Sequence, residues 1–215
     1  MLEIGWLLAV IITPLFFNVY SSRVFEPDKL ATLRSVAVIM AVVWLARLVD
    51  EWVHGVRRLG FTWRTPLVLP ALATVVVYLI STLLSVTPFV SLAGSYQRLQ
   101  GLYTWLAYVV LFLAVVAFLH RRGQLERLLT AIIVPSLPVA LYGIIQNRGL
   151  DPMPWLGDVT QRVASTMGNS IFVAAYLILA APLTLVKIVE SLRALDDVGD
   201  VRDAGAVAGG RTGSP

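Results

Sequence analysis

The chain has 215 residues, of which 58% are hydrophobic and only 14% are charged. Soluble domains of ordinary composition carry about 25% charged residues, so these values exclude a typical soluble enzyme and predict an integral membrane protein. The absence of cysteine excludes a disulfide framework, a thiolate nucleophile and a cysteine-based metal site. The formal net charge of +4 is, in a membrane protein, first a topology signal, and we predict no nucleic-acid partner.

Six apolar segments alternate with polar intervals, at residues 4–19, 30–49, 66–86, 102–119, 125–145 and 171–189. About 20 apolar residues cross a bilayer as a helix. We therefore predict an all-α, polytopic membrane helix bundle with about six transmembrane helices. Glu3 stands where a signal peptide would be basic, and no cleavage site follows, so the first segment is interpreted as a retained helix. Residues 1–190 form the transmembrane helical domain, and the Gly-, Ala- and Asp-rich residues 191–215 are predicted to be a disordered tail.

Three local patterns refine this picture. Pro135 and Pro138 predict a bend in the fifth helix, whose freed carbonyls must find partners inside the bundle. Residues 87–101 are too short and too rich in Ser, Gly and Gln for a span, so they predict a loop or an interfacial segment. His54 has no second His or Cys at ligand spacing and is interpreted as an interfacial histidine.

The distribution of basic residues predicts the orientation, because cytoplasmic loops of membrane proteins are enriched in Lys and Arg. The boundaries after even-numbered helices are the richer set: Arg47, Arg57, Arg58, Arg64, Arg121, Arg122, Arg127, Lys187 and Arg193. The remaining boundaries carry Arg23, Lys29, Arg34, Arg98, Arg148 and Arg162. Both termini are therefore predicted to be cytoplasmic, with Arg98 and Arg162 on the outer side.

Residues 161–169 (Gln-Arg-Val-Ala-Ser-Thr-Met-Gly-Asn) close the longest polar interval and lead into the sixth apolar segment. An arginine followed by hydroxyls and free backbone N–H groups at a helix start can bind one anion. The alternative is that Arg162 is an interfacial arginine and Asn169 an ordinary helix N-cap. The local spacing leaves both interpretations open, although an outer loop does not call for a positive charge.

Several segments together resemble the O-antigen ligase/polymerase superfamily. They are residues 14–18 with 25–29, residues 94–102, Arg162 with Gly168-Asn169, and Tyr176-Leu177. The resemblance covers about residues 5–190. It implies a multi-pass protein of the bacterial cytoplasmic membrane, active in lipopolysaccharide biosynthesis as a metal-independent inverting glycosyltransferase without a cofactor. The implied donor is a glycan on an undecaprenyl diphosphate carrier in the bilayer, used on the extracytoplasmic face.

The chain departs from the family pattern in two places. The family often has Asn-Pro-Asn where this chain has Asn169-Ser170-Ile171. Family members also continue with about as many helices again and with a large outer loop that holds a second arginine and a histidine. His54 and His120 are predicted on the cytoplasmic side and do not replace that histidine. We therefore expect an N-terminal half, whose partner would be the missing C-terminal half.

The resemblance implies that Arg162 binds the diphosphate, and Thr166, Gly168 and Asn169 are further candidate binding residues. Arg98 would line the entry. Preorganised donors of this kind stabilise the negative charge that develops on a departing diphosphate. Alternatives stay open at this point: a carboxylate pair at Asp151 and Asp158, a bicarbonate-like transporter, and a non-catalytic membrane subunit or remnant.

Overall fold

The computed structural model describes residues 2–18, 26–55, 60–153, 155 and 157–209, with helix α8 described by its backbone alone beyond Leu195. Predictions that concern Val19, Arg23, Arg57, Arg58 and residues 210–215 lie outside the described residues. Within the described ranges the chain forms helices and no strand. The helices are α1 Leu2–Leu15, α2 Glu26–Val53, α3 Val68–Leu83, α4 Pro88–Ala93, α5 Leu102–Phe118, α6 Arg122–Ile133, α7 Ser136–Asn147 and α8 Ser170–Gly209, with a 3-10 turn at Ser165–Met167. The prediction of an all-α fold is confirmed.

Three of these segments are long and apolar enough to cross a membrane: α2, the consecutive α6 and α7 over Arg122–Asn147, and Ser170–Leu195 of α8. Helices α1, α3 and α5 are apolar but have only 14, 16 and 17 residues. At 1.5 Å per residue they reach about 21–26 Å, somewhat less than the roughly 30 Å of a bilayer core. Large apolar side chains such as Ile39, Val77 and Ile178 are exposed on the outside of the helices. The architecture suits a membrane helix bundle, and the count of six crossings stays a prediction.

Helix α2 packs between α1 and α5 through small side chains. Ala37 and Ala107 join Leu33 in one buried cluster, and Ala114 joins Trp6 and Met40 in another. Because lipid tails are as apolar as the side chains, helices in a membrane associate through close packing of this kind rather than through a hydrophobic driving force.

The predicted fifth helix is broken where its prolines predict a bend. Helix α6 ends at Ile133 and α7 begins at Ser136, with Pro135 between them. The Ser136 hydroxyl donates to the Ile133 carbonyl at 2.6 Å, and the Tyr176 hydroxyl of α8 donates to the Ile132 carbonyl at 2.7 Å. The helix is thus interrupted where the prolines stand, and the Tyr176 bond ties its end to α8. Pro135 and Pro138 free the carbonyls four residues earlier, at Ala131 and Val134, so the bend and the partners of those carbonyls stay predictions.

Two segments differ in detail from the expectations. Residues 88–93 form the short helix α4 within the predicted loop or interfacial segment, and six residues are too few to span a bilayer. Helix α8 continues to Gly209, whereas the sequence predicts a disordered tail from residue 191. No proline interrupts residues 183–209, and alanine, the strongest helix former, recurs through them, so local propensity favours continuation of the helix.

The bundle has two ends with different contents. One end, the outer end of the predicted topology, contains the C-termini of α1 and α7 and the N-termini of α2, α5 and α8. Contacts between Lys29 and Thr13 and between Thr166 and Pro14 define it. The other end contains the N-termini of α1 and α6 and the C-termini of α2 and α5, and the contact between Glu3 and Arg127 marks it. We call them the Arg162 end and the Glu3 end.

Candidate functional site

Arg162 lies at the Arg162 end with an exposed side chain. Within the described residues its guanidinium makes one hydrogen bond, a long one of 3.4 Å from Nη2 to the Ser170 hydroxyl. Its backbone N–H donates to the Asp158 carbonyl at 3.2 Å. The guanidinium therefore keeps most of its donors for a ligand, as a planar fork for one anion requires.

Asp158 does not form an ion pair with Arg162. Its Oδ1 accepts from the Thr160 hydroxyl at 2.5 Å and from the Thr160 N–H at 2.9 Å, which closes a turn. Hydrogen bonds from the Thr160 hydroxyl and then from its N–H hold the pKa of the Asp158 carboxyl below the ordinary value. Asp158 is a turn residue that stays ionised, which removes support for its use as a general acid.

Asn169 caps α8, because its Oδ1 accepts from the Ile171 N–H at 2.9 Å. The ordinary N-cap interpretation of Asn169 is confirmed. Gly168, with φ of 73°, lies in the left-handed region that glycine adopts without strain. These two residues turn the chain out of the 3-10 turn and into α8, so they position the helix start beside Arg162.

The hydroxyl of Thr166 is engaged inside the protein. Thr166 is buried and donates from Oγ1 to the Pro14 carbonyl at 2.7 Å. The hydroxyl proton of Thr166 therefore bonds to α1 and is not available to a ligand. This hydrogen bond connects the 3-10 turn to α1. The long separation of this pair in sequence hid the contact from local pattern analysis.

Ser165 and Gln146 complete the support for the turn. The Gln146 side chain, which is fully buried, accepts from the Ser165 N–H at 2.7 Å and from the Ala164 N–H at 3.2 Å. The Ser165 hydroxyl donates to the Val139 carbonyl at 2.7 Å. Ser165 has φ of 46°, a conformation uncommon for residues other than glycine. Two hydrogen bonds of Ser165 and one of Ala164 hold this strained turn in place, so the segment that carries Arg162 is fixed at its C-terminal side.

Asp151 is the centre of a second hydrogen-bond cluster in the long loop. Its carboxylate accepts from four donors: the Trp155 indole at 2.7 Å, the Tyr142 hydroxyl at 2.9 Å, the Met153 N–H at 3.0 Å and the Gln146 amide at 3.1 Å. Burial raises the pKa of the Asp151 carboxyl, but these hydrogen bonds outweigh it and hold that pKa below the ordinary value. Asp151 therefore organises the loop. Because Asp151 and Asp158 both serve in hydrogen bonds that shape the loop, the structure gives no support to a catalytic pair of these two carboxylates.

The loop that carries Arg98, residues 94–101, is held by Arg34 of α2, whose position in the sequence indicates only a basic residue at a predicted outer boundary. Arg34 is buried and donates to the Thr104 hydroxyl at 2.6 and 2.9 Å, to the Ala93 carbonyl at 2.9 Å and to the Leu99 carbonyl. Its guanidinium also lies 4.6 Å from the centre of the Tyr103 ring. Arg98 itself is exposed at the surface of this loop. Arg34 therefore fixes the backbone from which Arg98 projects.

Lys29 has a similar role at the end of α1. It is buried, and its ammonium donates to the Thr13 carbonyl at 2.8 Å and to the Pro14 carbonyl at 3.2 Å. The last carbonyls of a helix have no partner within it, and a lysine can supply one. Pro14 is thus the shared acceptor of Lys29 and Thr166.

A cavity of about 280 Å³ lies between these segments. It is lined by Lys29 and Glu26 of α2, Gln100 of the Arg98 loop, Met167 of the 3-10 turn, and the aromatic residues Tyr108 and Phe172, together with Thr13 and Leu30. Residues from both predicted segments, the loop at Arg98 and the helix start after Arg162, therefore face one space. Ser170, which contacts Arg162, lies in sequence between the lining residues Met167 and Phe172.

The structure separates the five predicted binding residues into three groups. Arg162 and Arg98 are exposed cations, Thr166 is an internal tie, and Gly168 and Asn169 shape the helix start. Lys29, Glu26 and Gln100 line the cavity but were not predicted from the sequence. Glu26 and Lys29 do leave a signal, because ionisable residues at the start of an apolar helix suggest a functional site.

Within the described ranges, no three His, Asp or Glu side chains gather in a way that would hold a metal ion. Arg162 with its unused donors, the 3-10 turn that follows it and the cavity lined by Met167 and Phe172 form the candidate site at this end of the bundle. The chain matches no protein-family model, no curated protein and no solved structure.

Proposed function

We propose that this chain binds a lipid-linked glycan diphosphate at the Arg162 end and belongs to a membrane glycosyltransferase of the O-antigen ligase type. In this proposal the protein transfers or polymerises a glycan from undecaprenyl diphosphate on the extracytoplasmic face of a bacterial cytoplasmic membrane. Two observations support the proposal: the cavity lined by residues of the Arg98 loop and of the start of α8, and the mostly unengaged guanidinium of Arg162, which contacts Ser170 at the first residue of α8.

The proposal assigns the anion to Arg162. Bidentate hydrogen bonds from a guanidinium fit two oxygens of a phosphate, and they strengthen where water is partly excluded. Leaving-group charge grows on the diphosphate as the glycan departs, so a preorganised donor lowers the barrier to transfer. Arg98, on the facing loop, guides the anion towards the cavity through its charge.

The cavity suits the first sugar of the glycan. Glu26 and Gln100 supply polar groups of the kind that bind sugar hydroxyls, and one carboxylate oxygen of Glu26 is buried without a partner among the described residues. Tyr108 and Phe172 add aromatic surface. Ligand pockets commonly combine apolar walls with a few placed polar groups in this way.

The test is binding of a short lipid diphosphate to the purified chain in detergent. Geranylgeranyl diphosphate is titrated against the chain by a direct method such as microscale thermophoresis, with geranylgeraniol as the ligand that lacks the diphosphate. We expect Arg162→Ala and Arg162→Lys both to weaken diphosphate binding by about tenfold or more, because a hydrogen bond to a charged group contributes about 1.5–3 kcal/mol and lysine cannot reproduce the fork.

Arg148→Ala is the matched control, because Arg148 is an exposed arginine at the same end of the bundle and does not line the cavity. It should change the affinity little. Full affinity in Arg162→Lys would contradict the proposal and return Arg162 to the role of an interfacial residue. Equal affinities for the diphosphate and for geranylgeraniol would instead favour a non-catalytic membrane subunit.

A further inference from the structure

The Glu3 end of the bundle contains a second cavity, of about 460 Å³, which the proposed function does not use. It lies among the ends of four helices: the N-termini of α1 and α6 and the C-termini of α2 and α5. Leu2 and Phe118 form part of its apolar wall, while Arg47, Arg121 and Arg127 lie on its polar side. A cavity of this kind has an apolar part that faces the bundle and a basic part at the helix ends.

The basic residues of this cavity exceed its acidic ones. Glu3 is the one carboxylate among its lining residues, against three arginines. Arg127 pairs with Glu3 through Nε at 2.6 Å, and Arg47 pairs through Nε at 3.0 Å with Glu51, which is not part of the lining. The terminal nitrogens of both guanidinium groups, and the whole side chain of Arg121, make no hydrogen bond to the described residues.

Arg47 is held in a defined position, since its guanidinium lies 5.0 Å from the centre of the Phe118 ring as well as beside Glu51. A cation fixed in this way is preorganised, so it loses little conformational freedom when a ligand binds. Arg47 and Arg127 therefore offer positioned donors to the cavity, while Arg121 adds an exposed guanidinium to its lining.

Trp6 adds a large side chain to the wall of the same cavity. It is 1% exposed and lines the cavity beside Leu2 and Phe118. Its indole N–H is buried and finds no acceptor in the described part of the chain. Because the N–H is enclosed, Trp6 contributes the apolar surface of its ring to the cavity and not a hydrogen-bond donor.

We propose that this cavity binds the phosphate group of an anionic lipid. Phosphate oxygens accept hydrogen bonds only, which matches the excess of donors, and the apolar wall accepts the part of the lipid next to the headgroup. Basic pockets between transmembrane helices recognise headgroups by this combination of charge and apolar contact. A free phosphate ion would satisfy the same donors but would leave the apolar wall unused.

The experiment measures binding of short-chain phosphatidylglycerol to the purified 215-residue chain in a neutral detergent, by native mass spectrometry. Phosphatidylcholine of the same chain length and inorganic phosphate are the comparison ligands. We expect phosphatidylglycerol to bind at least tenfold more tightly than phosphatidylcholine, and Arg121→Gln to remove most of that preference. Millimolar inorganic phosphate should not displace the lipid. Displacement would identify the site as one for free phosphate and would overturn the assignment to lipid.

Arg122→Gln is the matched control, because Arg122 is the exposed neighbour of Arg121, carries the same charge and does not line the cavity. An equal loss in both variants would show diffuse attraction to anionic lipid and would overturn the proposal. Arg148→Ala removes an exposed arginine of the opposite end that lines neither cavity, so it should leave binding unchanged.

Discussion

Lys29 and Arg34 show how buried cations are satisfied in this protein. Both lie near the start of α2. Lys29 donates to two backbone carbonyls, and Arg34 donates to two backbone carbonyls and to the Thr104 hydroxyl, so neither uses a carboxylate. An ionisable side chain is costly within an apolar bundle unless it is paired or hydrogen-bonded. Their role is to hold the end of α1 and the Arg98 loop, so the exposed arginines can project from a rigid surface.

Replacing Lys29 with Met should destabilise the protein by about 1.5–3 kcal/mol, because the Thr13 carbonyl loses a charged donor. The measurement is thermal unfolding in one detergent, followed by circular dichroism. Lys187→Met is the matched control, since Lys187 makes exposed ion pairs with Glu126 and Glu190 and such pairs contribute about 0–1 kcal/mol. A similar effect of both changes would argue against the capping role of Lys29.

The Asp151 cluster should respond to acid. The pKa of Asp151 in the folded protein is below the ordinary value of 3.8, so ionised Asp151 stabilises the loop above that value and the contribution disappears as the pH falls through the folded pKa. The Trp155 indole donates to this carboxylate, so its fluorescence reports the change. We expect an acid transition in Trp155 emission, with the other five tryptophans replaced by Phe. In Asp151→Asn that transition should be absent, and its persistence would assign it to another group.

At the scale of elements, the Arg98 loop closes because two glycines meet. Gly94 has φ of 88°, and a Cβ there would overlap the backbone of Leu99 and Gln100, while a Cβ on Gly101 would overlap the backbone of Gly94 and Ala93. A side chain at either position forces the loop apart. This contact explains how a segment between α4 and α5 turns within so few residues.

We therefore expect Gly101→Ala to displace the loop and to weaken binding of a lipid diphosphate, as judged by titration with geranylgeranyl diphosphate. Gly157→Ala is its control, because a Cβ at Gly157 meets nothing within 4 Å and that glycine lies in the other loop of the same end. Limited proteolysis reports the loop directly, and cleavage near residue 98 should increase in Gly101→Ala alone. Unchanged proteolysis would show that the loop tolerates a side chain at this close approach.

The helices illustrate what sequence patterns convey and what they omit. Apolar length located the helical segments, and Pro135 with Pro138 correctly predicted the break between α6 and α7, because these signals are local in sequence. The roles of Thr166 and Arg34 were not predictable in the same way. Their partners lie 152 residues away for Thr166 and 59 to 70 residues away for Arg34, and no local period encodes such pairs.

At the scale of the whole molecule, the two ends differ in how their basic residues are used. Lys29 and Arg34 were counted among the basic residues of the outer loops, yet both are buried and engaged by backbone carbonyls. When Lys29 and Arg34 are left out, fewer exposed basic residues remain at the Arg162 end. Arg47, Arg121, Arg122 and Arg127 remain exposed at the Glu3 end, so the difference in exposed charge between the ends is larger than the sequence count indicates.

The predicted orientation is tested with single cysteines in a chain that has none of its own. Cysteines at Ser95 and Asp158, both in loops of the Arg162 end, should react with an impermeant maleimide in intact cells. A cysteine at Gly123, near the start of α6 at the Glu3 end, should react only after lysis. Labelling of position 123 from outside would reverse the topology and place the proposed diphosphate site on the cytoplasmic face.

The Pro14 carbonyl has a consequence for the order of assembly during synthesis. Its two donors are Lys29, 15 residues later, and Thr166, 152 residues later. At translation rates of about 5–20 residues per second, the second donor emerges about 8 to 30 seconds after Pro14. During that interval Lys29 is the one of the two donors already synthesised, so we expect α1 and α2 to pair before the rest of the bundle joins them. The segment that carries Arg162 then binds to an acceptor that α1 and α2 already hold, so the candidate site forms after that helix pair.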